Sequence, residues 1–358
     1  MAEISLDGVT RRFGRVAAVE ELSLTIADGE FFVLLGPTGA GKTTTLRLIA
    51  GLEIPDGGAI GIGGEDATNW GVAERDVALV FQYYSLYPRY TVRQNLAFPL
   101  KSRLRRLPDA EIDQRIARAA SMLRIEHLLE RKTDRLSGGE MQRVSIGRAI
   151  VRDPAVFLMD EPLSNLDAKL REALRSELKN LQASLGATFL FVTHDQIEAM
   201  SMGDRVGILN EGRLVQVGTP AEIYNAPKDT FVASFVGSPA MNLLPARLAG
   251  EGIEVSRGFR LPVGAEGRAR LGGDGPLTLG IRAEDVRVGA PGGAEARVHH
   301  VENHGVELVV TLRAGESLLK ATVPAVTRLA IDETVPFGLN ESRLHGFDAA
   351  SGRNRSAA

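Results

Sequence analysis

The stretch GPTGAGKTT at 36–44 has the residue types and spacing of a phosphate cradle. Gly36, Gly39 and Gly41, with Pro37, Thr38 and Ala40 between them, let backbone N–H groups converge on phosphate oxygens. Lys42 can reach the outer phosphates, the Thr43 hydroxyl can coordinate Mg²⁺, and Thr44 carries the stretch into a helix. A glycine turn ahead of a helix is the plainer reading of such a segment. Here it follows an apolar run, FFVLL at 31–35, and opens a helical one, TTTLRLIAGL at 43–52, as a phosphate loop requires.

Two carboxylates end the apolar run VFLMDEP at 156–162. Beside a phosphate loop, Asp160 would hold Mg²⁺ and Glu161 would orient and deprotonate an attacking water. His194 closes TFLFVTH, where a histidine serves as a structural hydrogen-bonder as readily as a catalyst. Gln82 ends the run LVFQ and can touch Mg²⁺ or the water, or simply finish a strand. Phe13 in RRFG can stack on adenine or join a core. A second glycine pair stands in LSGGEMQR at 136–143, where Ser137, Gly138 and Gly139 precede Glu140. A serine hydroxyl and glycine N–H groups at a helix N-terminus make an anion site.

The elements that must position these groups alternate between strand and helix up to about residue 236. Short strands are expected at Ile4–Val9 and Leu22–Ile26, and buried ones at Phe31–Leu35, 155–162 and 188–195. Helical spacing runs over 109–130, and NLDAKLREALRSELKNLQASLG reads as a helix stopped by Gly186. The polar residues collect at the carboxyl ends of the strands, where open α/β sheets bind ligands. Beyond about 237 glycine is frequent, helices are not expected, and PLTLGIR, ELVVTLRAG, LLKATVP and TVPFGLN alternate as strands of a small β-rich barrel or sandwich.

With 358 residues the chain is long enough for two domains, and 44% hydrophobic content suffices for packed cores. A net charge of −3 provides no electrostatic footprint for nucleic acid. The absence of cysteine excludes disulfides and thiolate metal sites. No run approaches the roughly 18 apolar residues of a membrane span, so contact with a membrane is expected through partners.

RRFG, GPTGAGKTT, VFQ, LSGGE, LMDEP, SNLD and VTHD occur together and in this order. Over residues 1–236 the chain resembles an ATP-binding-cassette (ABC) ATPase, an α/β P-loop domain with a helical subdomain at about 89–150. FVGSPAMNLLPARL at 235–248, LGIRAEDVRV at 279–288 and RLHGFDAASG at 343–352 resemble the C-terminal regulatory domain of carbohydrate importers of the maltose and glycerol-phosphate type. That implies an oligosaccharide-binding-like (OB/TOBE) β domain over 237–358.

The resemblance implies ATP and Mg²⁺ as cofactors, with Thr43, Gln82 and Asp160 on the metal. It makes Phe13 the adenine-stacking aromatic, Gln82 the γ-phosphate sensor, Glu161 the general base and His194 the switch histidine. Asp167 in SNLD would contact the opposite subunit. Ser137, Gly138 and Gly139 would cap the γ-phosphate held by that subunit, with Glu140 toward the ribose. The implied partners are a second ATPase subunit, identical or related, two transmembrane subunits docking near Tyr83, Tyr84, Leu86 and Tyr87, and indirectly a solute-binding protein. The implied location is peripheral, on the cytoplasmic face of the bacterial inner membrane.

Glu140 departs from the glutamine usual in the family, and retained hydrolysis is expected because a carboxylate accepts ribose hydroxyl bonds as an amide oxygen does. Alternatives are a remodelling ABC ATPase, a regulatory protein timed by ATP, and a small-molecule phosphotransferase, in which LSGG would have no task.

Overall fold

The computed structural model describes residues 2–102, 107–249, 252–256, 259–272, 275–290 and 293–355. Parts of the expected helical arm (103–106) and of the expected C-terminal domain lie outside the described residues. The chain divides into two compact units, Met1–Pro220 and Ala221–Ala358.

The first unit opens with β1 (Ile4–Phe13) and β2 (Val16–Ile26), then β3 (Phe31–Leu35), α1 (Lys42–Ile49), β4 (Gly57–Ile62), β5 (Glu65–Asp66) and β6 (Val77–Val80). The arm follows as α2 (Val92–Ala97), α3 (Asp109–Met122) and α4 (Gly138–Ile150). It closes with β7 (Val156–Asp160), α5 (Ala168–Leu185), β8 (Thr188–Thr193), α6 (Gln196–Met202), β9 (Arg205–Asn210) and β10 (Arg213–Gly218).

Two sheets result, ordered β2-β1-β4-β5 and β10-β9-β3-β8-β7-β6. In the second, β9, β3, β8, β7 and β6 pair in parallel while β10 is antiparallel. β3 and β8 are buried at every residue, as the apolar runs required. One core joins the two sheets through Leu22, Phe32, Leu46, Ile60, Leu158 and Leu190.

Several bounds differ from the sequence reading. The first two strands extend to Phe13 and back to Val16, because they pair as a hairpin whose last partners are those two residues. The periodicity over 109–130 does not form one helix: α3 ends at Met122, Arg124 turns to φ 56, and a short 3-10 turn follows at Glu126–Leu128. The helix before Gly186 stops where expected, with Gly186 in the left-handed region at φ 62.

The second unit holds α7 (Pro220–Asn225), α8 (Thr230–Phe235), β11 (Asn242–Ala249), β12 (Gly252–Ser256), β13 (Phe259–Pro262), α9 (Ala265–Leu271), β14 (Gly275–Ile281), β15 (Val286–Val288), β16 (Ala294–Asn303), β17 (Glu307–Ala314), β18 (Ser317–Pro324), β19 (Thr334–Leu339) and β20 (His345–Asp348). Two five-stranded antiparallel sheets, β13-β12-β11-β14-β20 and β15-β19-β16-β17-β18, share a core that includes Leu279, Val298, Val310 and Phe337. Helices are not absent here: α9 lies within the β-rich stretch, ending at Gly272 with φ 74. Helices α7 and α8 fall in this unit too, although the sequence reading assigned their residues to the first domain. Buried Arg282 closes the α8 end, donating to the carbonyls of Ala233, Val236 and Tyr224 while its guanidinium lies 4.1 Å from the Tyr224 ring centroid.

Candidate functional site

Strand order places the chemistry. β3, β8, β7 and β6 are consecutive neighbours and parallel, so their carboxyl ends bring four loops to one edge. These loops carry the 36–44 stretch, His194, Asp160 with Glu161, and Gln82 respectively. They surround a cavity of about 480 Å³ lined by Ala18, Thr38, Gly39, Gly41, Lys42, Thr43, Thr44, Gln82, Glu161 and His194.

The glycines of the loop are dictated by space as well as angle. A side chain at Gly36 would place Cβ 2.3 Å from the Leu209 carbonyl oxygen, and at Gly41 2.1 Å from that of Ala18. Gly41 also has φ 102 as the N-cap of α1. The loop is pinned from behind, since Gly212 N–H donates to the Ala40 carbonyl at 3.0 Å. At its far end α1 is capped by buried Arg75, which donates to Leu48 and Ile49 carbonyls at 2.6 and 2.9 Å. Nothing in the local sequence around Arg75 signalled that cap.

Lys42 is buried, and its ammonium donates to the carbonyls of Gly36 and Pro37 at 2.9 and 3.0 Å. Its Nζ stands 3.6 Å from Glu161 Oε1. Burial pushes the ammonium below its usual range, opposed by the Glu161 and Asp160 carboxylates. Burial raises Asp160 above the usual carboxylate range, opposed by the hydroxyl of Thr43, which donates to Asp160 Oδ1 at 3.0 Å. Both shifts disfavour charge where a polyanion with its counter-cation would restore it.

Glu161 sits in the left-handed region at φ 44, held there by its N–H donating to the Val192 carbonyl at 3.0 Å. Its Oε2 lies 2.9 Å from His194 Nδ1, so the carboxylate is bracketed by Lys42 and His194. Gln82 Nε2 donates to Ser164 Oγ at 3.3 Å. The oxygens of Thr43 and Asp160, with the Gln82 amide beside the same cavity, are donors suited to a hard divalent cation, so the residues present fit Mg²⁺.

Ten sequence-derived site residues lie outside this cavity's lining: Gly36, Pro37, Ala40 and Asp160, from the same loops, and Phe13, Ser137, Gly138, Gly139, Glu140 and Asp167. Phe13 is 47% exposed at the tip of the β1–β2 hairpin, with the Arg11 guanidinium 4.9 Å from its ring centroid. Asp167 caps α5 of its own chain, accepting from Leu170 N–H at 3.0 Å. Ser137 is exposed at the N-terminus of α4 and does not face the cavity of its own chain.

Glu140 closes on the start of its own helix. Its Oε2 accepts from the Ser137 N–H at 2.7 Å and the Ser137 hydroxyl at 2.9 Å, closing a capping box, and its Oε1 lies 3.6 Å from Arg131. Within the chain these bonds give Glu140 a structural role at the start of α4. The S-x-x-E spacing was a signal for this cap. The glycine pair likewise has a packing role within the chain: a Cβ at Gly139 would come within 2.5 Å of Leu170 Cδ2, and one at Gly138 within 3.2 Å of the Tyr84 hydroxyl.

The four expected docking residues divide. Tyr83 is 74% exposed, whereas Tyr84 turns toward α4, its carbonyl accepting from Ser145 Oγ at 3.0 Å. Leu86 is half-buried. Tyr87 packs on Phe98 with centroids 4.4 Å apart and lies near Tyr90. Next to them, a hollow of about 890 Å³ between α2 and α3 is lined by Tyr90, Arg93, Phe98, Asp109, Ile112 and Asp113, among others. No helix among the described residues is long and apolar enough to cross a membrane.

A glycine loop between a parallel strand and a helix, faced by carboxylates from the neighbouring strand, defines a P-loop nucleotide-binding protein. Residues 19–164 match the family described as ABC transporter, 237–286 the MalK OB fold domain and 279–347 the TOBE domain. The trehalose/maltose import ATP-binding protein MalK of Thermococcus litoralis is 48% identical, with 99% of each chain covered. The sn-glycerol-3-phosphate import ATP-binding protein UgpC of Rhizobium meliloti is 49% identical, covering 99% of this chain and 100% of that one. The xylose/arabinose import ATP-binding protein XacK of Haloferax volcanii is 48% identical, covering 98% and 95%.

Among solved structures, cbiO1 of Clostridium perfringens, described as part of the ABC transporter complex cbiONQ, superposes with TM-score 0.58 at 28% identity, covering 62% of this chain and 89% of that one. A dimeric ATP-binding cassette in a post-hydrolysis state with ADP and Pi superposes with TM-score 0.54 at 31% identity, covering 61% and 98%. The chain belongs to the ABC transporter family, as an import ATP-binding protein: an ATPase that couples hydrolysis to solute uptake.

Proposed function

We propose that the chain powers import of a carbohydrate-type solute, whether sugar, sugar alcohol, glycerol or glycerol phosphate. The observation that carries this is the convergence of Lys42, the Thr43–Asp160 pair, Glu161 with His194, and Gln82 on one cavity, in a chain matched along its length by sugar and glycerol-phosphate import proteins.

In this reading residues 36–44 bind the phosphates of ATP through loop N–H groups and the Lys42 ammonium. Mg²⁺, held by Thr43, Asp160 and Gln82, would supply neutralisation of phosphate charge. Phe13 supports the adenine. Glu161 orients a water and takes its proton, and His194, 2.9 Å from the carboxylate, keeps that carboxylate aimed. Lys42, now bonded to its own loop carbonyls, exchanges those partners for phosphate oxygens.

Ser137, Gly138 and Gly139 serve the ATP of a second ATPase subunit, identical or related, with Asp167 near the shared seam. The exposure of Ser137 and Asp167, outside the lining of the chain's own cavity, supports that reading. Residues 1–236 act as the ATPase domain and 237–358 as the regulatory domain. The exposed Tyr83 and the aromatic-edged hollow between α2 and α3 offer the surface for two transmembrane subunits, which receive solute from a binding protein. The chain would then sit peripherally on the cytoplasmic face of the inner membrane.

Co-purification tests this: two polytopic membrane subunits should be recovered with the full chain, and vesicles holding the complex should take up solute only with ATP. Recovery of a transcription factor alone, or solute uptake unchanged in the Glu161→Gln complex, would contradict it.

A further inference from the structure

The Gln82 side chain is gripped by the turn that follows β7. Asn165 Nδ2 donates to the Gln82 backbone carbonyl at 3.0 Å, and Ser164 Oγ accepts from Gln82 Nε2 at 3.3 Å. Ser164 Oγ also lies 2.9 Å from the Glu161 carbonyl oxygen. A carbonyl oxygen only accepts, so this contact takes the single hydroxyl proton of Ser164. What Ser164 then offers Gln82 is a lone pair, and a lone pair selects the NH₂ end of an amide over its oxygen. Hydrogen-bond chemistry alone thus sets the amide's orientation.

The consequence is for Oε1. With Nε2 turned to Ser164, the acceptor end points the other way, and it accepts no hydrogen bond among the described residues. Gln82 lines the same cavity as Lys42, Thr43 and Glu161. The reference that fixes Ser164 is firm, because Glu161 is tied at its own N–H to the Val192 carbonyl on β8.

We propose that Ser164 is a positioning residue that keeps the oxygen of the Gln82 amide presented to the cation and water side of the ATP site. This rests on the reading of Gln82 as a site residue given above. A flipped amide would present two N–H donors to a cation, a repulsive arrangement. Ser164 meets Glu161 only at its backbone carbonyl, not at the carboxylate, and acts on the site through Gln82.

The test uses the full-length chain in two ways. In the nucleotide-free protein, the side-chain amide signals of Gln82, assigned by their loss in Gln82→Glu, should shift in Ser164→Ala and return in Ser164→Thr, which keeps the hydroxyl. In steady-state ATPase assays, Ser164→Ala should lower kcat by roughly tenfold with KM for ATP unchanged, and Ser164→Thr should restore it. A carboxylate at 82 has two equivalent oxygens and nothing to orient, so Ser164→Ala in the Gln82→Glu background should cause no further loss.

Unmoved Gln82 amide signals in Ser164→Ala would overturn the proposal, as would an equal loss of kcat in both backgrounds. If Ser164→Ala does not fold, Ser164→Cys, a weaker acceptor, should give an intermediate shift; signals identical to the parent would again overturn it. Wild-type turnover by Gln82→Glu would instead remove Gln82 from its own role, while the amide signals still decide the part played by Ser164.

Discussion

Glu140 and Ser137 are bound to each other twice through one carboxylate oxygen, which accepts from the serine's N–H at 2.7 Å and from its hydroxyl at 2.9 Å. The serine's only hydroxyl proton is therefore committed within its own chain. A glutamine at 140 can accept both bonds through its single amide oxygen, which as a neutral acceptor holds the serine proton less tightly than a carboxylate does. Glu140→Gln is expected to preserve hydrolysis and raise transporter-stimulated ATPase by less than about tenfold. A larger rise would mean that the native site is degenerate.

The Ser137 N–H holds the Glu140 carboxyl below the usual carboxylate range, aided by the Ser137 hydroxyl and Arg131. A depressed carboxylate contributes stability that is present above its unfolded value and lost as pH falls through its folded one. In Glu140→Gln that acid-side loss, below about pH 4, should shrink in unfolding measurements.

Lys42 and Glu161 should separate binding from chemistry. Glu161→Gln keeps the size and the left-handed backbone position but cannot take a proton. It should bind ATP, trap a closed dimer and hydrolyse roughly 10² to 10⁴ times more slowly. Normal turnover would remove Glu161 from its role. Lys42→Ala removes the buried cation and should instead raise the Kd for ATP by roughly ten- to a hundredfold, read by nucleotide titration.

Gln142 on α4 is fully buried, and neither its amide oxygen nor its nitrogen has a partner among the described residues. An unpaired buried amide is costly, and an apolar side chain of similar length removes that cost. Gln142→Met should raise unfolding stability by about 1 to 2 kcal/mol. A loss of similar size would show that the amide is bonded.

His345 in the second unit is pushed down to about 4 by burial, with Arg270, Arg282 and Arg343 adding to it. Between about pH 6.5 and 4 the unfolded chain takes up a proton that the folded unit refuses. Stability therefore falls as pH drops through that window, by up to on the order of 3 kcal/mol. His345→Gln should flatten this part of the stability profile in thermal unfolding from pH 4 to 7.

The phosphate loop was legible because its motif combines strand, glycine turn and helix over a few contiguous residues. The α5 stop at Gly186 was legible for the same reason: it is a local backbone requirement. What stayed hidden depended on distant partners. Arg75 caps a helix from 26 residues away, and Ser164 grips Gln82 across 82. The break in the arm after Met122 was masked by continuing helical periodicity, which reports the buried face and not the backbone turn at Arg124. Ser-Gly-Gly was read for its anion chemistry, while the close approach of Leu170 to Gly139 gives a second, purely steric need for glycine.

In the proposed cycle the ATP site is completed by Ser137 of another chain. The protein has no cysteine, so a pair can be introduced without background. Ser137→Cys and Thr38→Cys together, in the Glu161→Gln chain, are treated with a short bifunctional thiol reagent and resolved by denaturing gel. The account predicts a product of doubled mass that forms with ATP and not without nucleotide. Absence of that product while ATP binding is intact, or its equal formation without nucleotide, would contradict it.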